Sequence, residues 1–244
     1  MRLFHKLKKL GDPRLLQSMR KHAGRAILKR RLVFRVDADR IISSIDRQGF
    51  RAIHDRHAVE NPGQEWPKYL DLKKWVRTNL LRVGALHLDY GRRRRVLDIG
   101  SGAGYFLYIC KWFGHDPVAL DIDEVPMYPE MTRLLGLKRI IWRVEAFQPL
   151  PDLGARFDLI TAFMICFNGH KSDALWGPRE WDFFLIDLRC RLKPRGRIWL
   201  EFNREFDGEF MNEELREFFR SRGAETSEQK VIFLRPPLLG ASTR

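Results

Sequence analysis

From Val96 to Arg235 short apolar runs alternate with segments of helical period, and this alternation predicts a doubly wound α/β sheet with parallel strands and right-handed crossovers. Two further observations shape that reading. The first apolar run, VLDI at 96–99, breaks straight into glycines at 100, 102 and 104. The charge is also unevenly placed. Residues 1–95 hold 25 Lys and Arg against 9 Asp and Glu, a net +16, while residues 96–244 hold 20 against 22, a net −2. A nearly neutral sheet domain therefore follows a strongly basic front section.

Leu3, Phe4, Leu7 and Leu10 fall at helical spacing among Lys6, Lys8 and Lys9, and Leu16, Met19, Ala23 and Ile27 recur every three or four residues. Asp12 and Pro13 suit an N-cap and first helical position, so two short basic amphipathic helices are expected within residues 1–35. Ile41, Ile42 and Ile45 predict another helix, broken near Gly49. NPGQEWP at 61–67 blocks helix and strand alike and reads as a linker. The expected division is a basic helical extension, 1–60, and the α/β domain, 61–244. Leu72, Val76 and Leu80, with Trp75 and Asn79 beside them, mark a helix leading into that domain. Strands are then expected at 96–99, 117–123, 139–145, 157–167, 197–203 and 230–235. The intervening helices fall at 105–114, before Gly136, at 179–196 and at 212–223.

Composition narrows the function classes. A 44% hydrophobic share supports a real core. No apolar run approaches the ~20 residues that cross a bilayer, and no long apolar stretch marks a signal peptide near the start. Cys110, Cys166 and Cys190 show no close pairing, which points to reduced thiols and a cytoplasmic setting. No HExxH or CxxC pair suggests a metal site, so none is expected. The basic front suggests an anionic partner: nucleic acid, an anionic lipid surface such as the inner face of a membrane, or a phosphorylated glycan.

The chemistry concentrates at the carboxyl ends of the strands, where doubly wound sheets bind ligands. Gly100, Gly102 and Gly104 permit a tight turn and close approach of a ligand to backbone N–H groups. Asp121 ends the next strand, 17 positions after Gly104, where its carboxylate can accept from both hydroxyls of a ribose. A dinucleotide needs GxGxxG with its pyrophosphate on the helix N-terminus, whereas this chain has GxGxG preceded by Asp98. An acid facing the loop repels a pyrophosphate and favours a cationic α-ammonium group. S-adenosylmethionine carries an ammonium, a sulfonium and a ribose, and no phosphate, so the electrostatics favour it.

VLDIGSGAGYF, VALDIDE, FDLITAFMICF and LKPRGRIWLEF together resemble the successive signature segments of class I S-adenosylmethionine-dependent methyltransferases, over roughly residues 70–235. The resemblance implies a Rossmann-like seven-stranded, mostly parallel sheet with its last strand antiparallel. It implies that Asp98, Gly100, Ser101, Gly102 and Gly104 line the methionine part of the cofactor, that Asp121 holds the ribose, and that Ile122 flanks the adenine. Glu145 and Ala146 occupy the place of the polar contact to the adenine edge, and Phe163 lies at the end of the fourth strand. Arg195 stands where the family has the first glycine of its LKPGG segment, a structural position. Many N-methyltransferases carry Asn-Pro-Pro-aromatic after the fourth strand. Ala162-Phe163-Met164-Ile165 departs from this, which disfavours adenine or glutamine N-methylation.

The acceptor is where the residues leave alternatives open. In the loop CFNGHKSDALWGPREWD, Asn168 and Trp176 are candidate substrate contacts and His170 a candidate base. Glu201, at the end of the fifth strand, is a second candidate base. The first reading is O-methylation of a hydroxyl on a glycan, a glycolipid or a small metabolite, with the basic front on an anionic surface. The alternatives are an RNA methyltransferase that binds RNA through residues 1–35, and a cofactor-binding scaffold without catalysis.

Overall fold

The computed structural model describes residues 36–59, 65–165, 175–205 and 208–239. The helices expected within residues 1–35 lie outside them, as do residues 61–64 of the expected linker. Seven strands form one sheet in the order β3-β2-β1-β4-β5-β7-β6. They are β1 Arg95–Ile99, β2 Asp116–Asp121, β3 Lys138–Ile141, β4 Phe157–Ile165, β5 Leu192–Phe202, β6 Glu225–Thr226 and β7 Lys230–Phe233. Neighbours β1 to β5 pair in parallel, and β7 runs antiparallel between β5 and β6. The predicted α/β class, the seven strands and the antiparallel last strand are all present.

Helices cover both faces. On one side lie α1 Ala38–Ser43, α2 Arg47–His54, α3 Leu72–Ala85, α4 Tyr105–Trp112 and α5 Met127–Leu134. Their apolar stripes meet Val96, Ala119 and Leu159 of the sheet in one buried cluster. On the other side α6 Pro178–Arg191 and α7 Glu213–Ser221 bury Phe184, Leu188 and Phe219 against Leu97, Ile160 and Leu200. Successive strand residues therefore serve opposite layers, as the pleat requires. Side-chain caps start the helices. Asp37, Asp46, Asp71 and Asn212 accept from the amides of Asp39, Gln48, Lys74 and Leu215. Val36, Ala38, Ile41, Ile45 and Ile53 share the first cluster with α3 and α4, so residues 36–59 pack on the sheet domain.

The structure departs from the expected elements in four places. Gly49 does not break a helix: the break is at Ser44–Asp46, and Gly49 sits inside α2, where a Cβ would come within 2.6 Å of Leu134 Cδ1. β3 stops at Ile141 rather than 145, because after the Trp142 amide bonds to Asp121 O at 2.9 Å the chain leaves the ladder. α6 stops at Arg191, and LKPRG belongs to β5. Phe157 pairs with Leu192 but Leu159 with Arg197, so Lys193–Gly196 form a bulge that tolerates Pro194. Gly196 is needed there, since a Cβ would lie 3.0 Å from Leu192 Cβ and from Lys193 O. Finally, the two-residue β6 has no apolar run to announce it.

Candidate cofactor cleft

The carboxyl ends of β1, β2 and β4 open into a cleft of about 630 Å³. Its floor is the turn from β1 into α4. Gly100, Gly102 and Gly104 all adopt left-handed backbone, with φ of 72°, 54° and 82°. Two of them do different jobs. A Cβ on Gly104 would lie 2.6 Å from Leu137 Cδ1 and 3.1 Å from Thr132 Cγ2, so this glycine lets α4 pack against α5. A Cβ on Gly100 would meet nothing within 4 Å, because the position faces open space. That cradle fits a ligand approaching the backbone.

Two buried carboxylates flank the turn. Asp98, in β1, is 3% exposed, and its Oδ1 accepts from Thr161 Oγ1 at 2.7 Å. Burial pushes its pKa up to about 7. The Thr161 hydroxyl and the Arg82 charge pull against this, while Asp121 and Glu201 add to it. A buried acid so short of positive charge is a site that a cation stabilises. Asp121, at the end of β2, accepts from the Gly102 amide at 2.5 Å and the Ile122 amide at 2.8 Å. Burial raises its pKa too, and the two amides and Arg139 offset only part of that.

Beside the cleft lies a slot of about 150 Å³, sharing Gly100, Asp121, Phe163 and Met164 with it and adding Ile122, Trp142, Arg143 and Val144. Trp142 Nε1 is buried and has no hydrogen-bond partner among the described residues. The apolar walls of the slot, Ile122, Trp142 and Val144, fit a flat heterocycle.

The structure thus brings together Asp98, Gly100, Ser101, Gly102, Gly104, Asp121, Ile122 and Phe163. It does not bring Glu145 and Ala146, which are exposed and line neither space because β3 ends earlier than expected. Trp176 lies elsewhere, buried edge-to-face on Trp181 at 5.4 Å and Phe184 at 5.7 Å. Glu201 is buried outside the cleft lining, bonded by Lys230 Nζ at 2.8 Å, Trp199 Nε1 at 3.1 Å and Arg82 at 3.4 Å. Burial raises its pKa, but Lys230, Arg82 and Trp199 outweigh burial and hold it below the usual carboxylate range. Asn168 and His170 lie outside the described residues. Among the described residues no cluster of three or more His, Cys, Asp and Glu is placed to hold a metal.

Several cleft residues were not foreseen. Trp75, Asn79 and Arg82 project from successive turns of α3 into the cleft. Asn79 is buried, bonding Trp75 O at 2.9 Å and accepting from Arg82 at 3.1 Å. Arg82 lies over the Phe163 ring, 4.2 Å from its centroid. Tyr69 packs on Trp75 at 4.8 Å and on Tyr128 at 5.9 Å, giving the cleft an aromatic wall. The available signal was polar Asn79 and Arg82 flanking an apolar stripe at helical spacing. Met164 had none: it holds a φ of 58° at the register shift between Phe163 and Ile165, and Asn203 Nδ2 donates to its carbonyl at 2.7 Å.

No family model matches the chain, and no curated protein does. Solved structures do resemble it. One is the PH0226 protein from Pyrococcus horikoshii OT3, at 23% identity and a TM-score of 0.39, covering 52% of this chain and 54% of that one. Another is CalS10, an amino pentose methyltransferase from Micromonospora echinaspora, at 21% identity, TM-score 0.40, and 60% and 55% coverage. A third is the 16S rRNA N2 G1207 methyltransferase RsmC of T. thermophilus, at 23% identity, TM-score 0.43, and 72% and 44% coverage. The chain spans about half the length of these structures. In strand order, strand sense and the glycine turn between β1 and α4, the chain has the Rossmann-like α/β fold that its motifs resemble, that of class I methyltransferases.

Proposed function

We propose that this chain is an S-adenosylmethionine-dependent methyltransferase that methylates a hydroxyl of a glycan, a glycolipid or a small metabolite. The observation that supports the reading is the pair of buried acids flanking one glycine turn: Asp98 in β1, its pKa raised by burial, and Asp121 at the end of the neighbouring strand. In this reading Asp98 receives an α-ammonium group and Asp121 a ribose diol. Arg82, which lines the cleft and acts on the Asp98 charge, receives the carboxylate in this reading. Trp142, Ile122 and Val144 form the slot for the adenine. A pyrophosphate would meet two carboxylates here, which is why a dinucleotide fits poorly.

The cofactor, when bound, supplies a sulfonium methyl for in-line displacement. The protein's part is position and dryness. The aromatic wall of Tyr69, Trp75, Tyr128 and Phe163 sheds water from the cleft. Glu201 fixes Arg82 rather than taking a proton, since its oxygens are already met by three donors. A base is needed only for an acceptor with a proton to lose, and His170, which follows β4 in the sequence, is the residue proposed for it. Exchange of His170 for Gln is expected to lower turnover while leaving cofactor affinity within about twofold.

A second reading, methylation of RNA, has one observation in its favour: Lys68 and Lys74 line the cleft beside Tyr69 and Trp75, each ammonium 5.3 Å from its neighbouring ring. Incubation with methyl-labelled cofactor and fractionated lysate separates the readings. Label in glycan or small-molecule fractions supports the first, label in RNA replaces it with the second, and cofactor binding without transfer leaves the scaffold.

A further inference from the structure

The amino ends of the strands, opposite the cleft, are strongly basic. Arg92, Arg93, Arg94 and Arg95 run into β1, Lys193, Arg195 and Arg197 occupy the first half of β5, and Arg235 follows β7. The pairing of Ile198 with Phe233 brings the last of these to the same edge. Asp158 takes up part of the charge, with Lys193 Nζ at 2.6 Å, Arg92 at 3.4 Å and the Arg95 amide at 2.8 Å. Arg94 and Arg197 have no ion-pair partner among the described residues, and both turn to the carbonyl of Leu86, at 3.5 and 3.2 Å. Burial lowers the pKa of Arg197 and the neighbouring Arg94 lowers it further, the sign of two cations held together without a counter-charge.

Exposed leucines accompany these arginines. Arg195 and Arg235 line a groove of about 470 Å³ with Pro194 and Leu234. Leu234, Leu238 and Leu239 are 53%, 59% and 59% exposed. The segment that carries them is fastened to the ends of α6 and α7: Arg189 donates to Pro237 O, and the Leu238 amide to Arg222 O at 2.9 Å. The backbone is thus anchored at Pro237 and Leu238, with three exposed leucines next to cations.

We propose that this edge of the sheet rests on an anionic phospholipid bilayer, its guanidinium groups meeting lipid phosphates and Leu234, Leu238 and Leu239 entering the interface. Arginines beside outward leucines match that boundary, where charge faces the headgroups and apolar side chains face the acyl region. Nucleic acid fits the leucines poorly, because bases call for outward aromatic rings. The exposed ring beside these arginines, Tyr90, is taken up by His87, edge-on at 5.8 Å with its hydroxyl 3.1 Å from Nδ1, and Phe157, under Arg95, is buried. The placement also bears on the acceptor. With the amino ends of the strands on the membrane, the cleft at their carboxyl ends opens to water. Under the proposed function, the acceptor then arrives from the aqueous side, which narrows the class to soluble glycans and metabolites.

The test uses the full chain, sedimented with vesicles of phosphatidylcholine alone or with about one third phosphatidylglycerol, at about 0.1 M salt. Wild type is expected to bind the anionic vesicles only. R92E/R93E/R195E/R235E is expected to lose at least about tenfold in partitioning. L234S/L238S is expected to lose severalfold while still favouring anionic vesicles. Both variants change exposed side chains. Their affinity for S-adenosylmethionine, measured alongside, reports that they are folded and keeps a failure of the cofactor reading separate. R92Q/R93Q/R195Q/R235Q serves as a milder replacement for the reversal. Absence of vesicle binding overturns the proposal. So does wild-type partitioning by the reversed variant, which would leave residues 1–35 as the binding element. Loss of single-stranded RNA binding by the arginine variant, with the leucine variant unaffected on vesicles, would replace the bilayer with nucleic acid.

Discussion

Asp98 is a residue whose stability cost and function point in opposite directions. Its folded pKa, about 7, lies above the ordinary aspartate value of 3.8. A raised carboxyl pKa contributes stability that is fully present below the unfolded pKa and is lost as pH rises through the folded one. The unliganded protein therefore loses stability between about pH 4 and pH 7 as this acid is forced to ionise. Asp98→Asn is expected to stabilise the unliganded chain by roughly 2–4 kcal/mol at about pH 8, and not at about pH 3.5, in denaturant titrations at the two pH values. The same exchange is expected to abolish cofactor binding. A cationic ligand needs the ionised form, so wild-type affinity for S-adenosylmethionine is expected to fall about thirtyfold from pH 7.5 to pH 5.5, with proton release on binding at the lower pH. Asp121→Ala removes the acceptor of two buried amides and of a ribose. A loss of at least about tenfold in affinity is expected by calorimetry, and an unchanged affinity would remove Asp121 from the ribose site.

The glycine turn separates packing from binding within one element. Gly104→Ala forces a methyl into Leu137 and Thr132 at a left-handed position. A loss of about 2–4 kcal/mol in unfolding free energy is expected. Gly100→Ala strains the backbone but meets no atom, so about 1–2 kcal/mol is expected, while cofactor binding is lost because the methyl stands where the ligand approaches. Equal stability losses in the two variants would contradict this division of labour. This turn was legible in the sequence because a strand, a glycine spacing and an acid coincide within eleven residues. The α3 contribution was less legible. Trp75, Asn79 and Arg82 reach the cleft only because α3 packs on α4, and that orientation is a tertiary fact. The end of β3 was misplaced because IIWRVE continues an apolar alternation past the last ladder bond, and with it went the expected contacts at Glu145 and Ala146. β6, two residues long and made of Glu225 and Thr226, has too little pattern to be seen.

At the scale of the molecule, a sheet buried on both faces leaves its two ends for function. The carboxyl ends hold two acids and an aromatic wall, and the amino ends hold arginines and outward leucines. The +16 of residues 1–95 is therefore only partly a property of the front section, since Arg92 to Arg95 belong to the edge of β1. No helix among the described residues is long and apolar enough to cross a membrane. The central claim is that the carboxyl-end cleft selects a cationic, phosphate-free cofactor. Calorimetric titration of the full chain with S-adenosylmethionine and, separately, with NAD tests it most directly. Saturable binding of S-adenosylmethionine, lost in Asp98→Asn, is expected, with no heat from NAD. Binding of NAD, or binding of S-adenosylmethionine that survives Asp98→Asn undiminished, would contradict it.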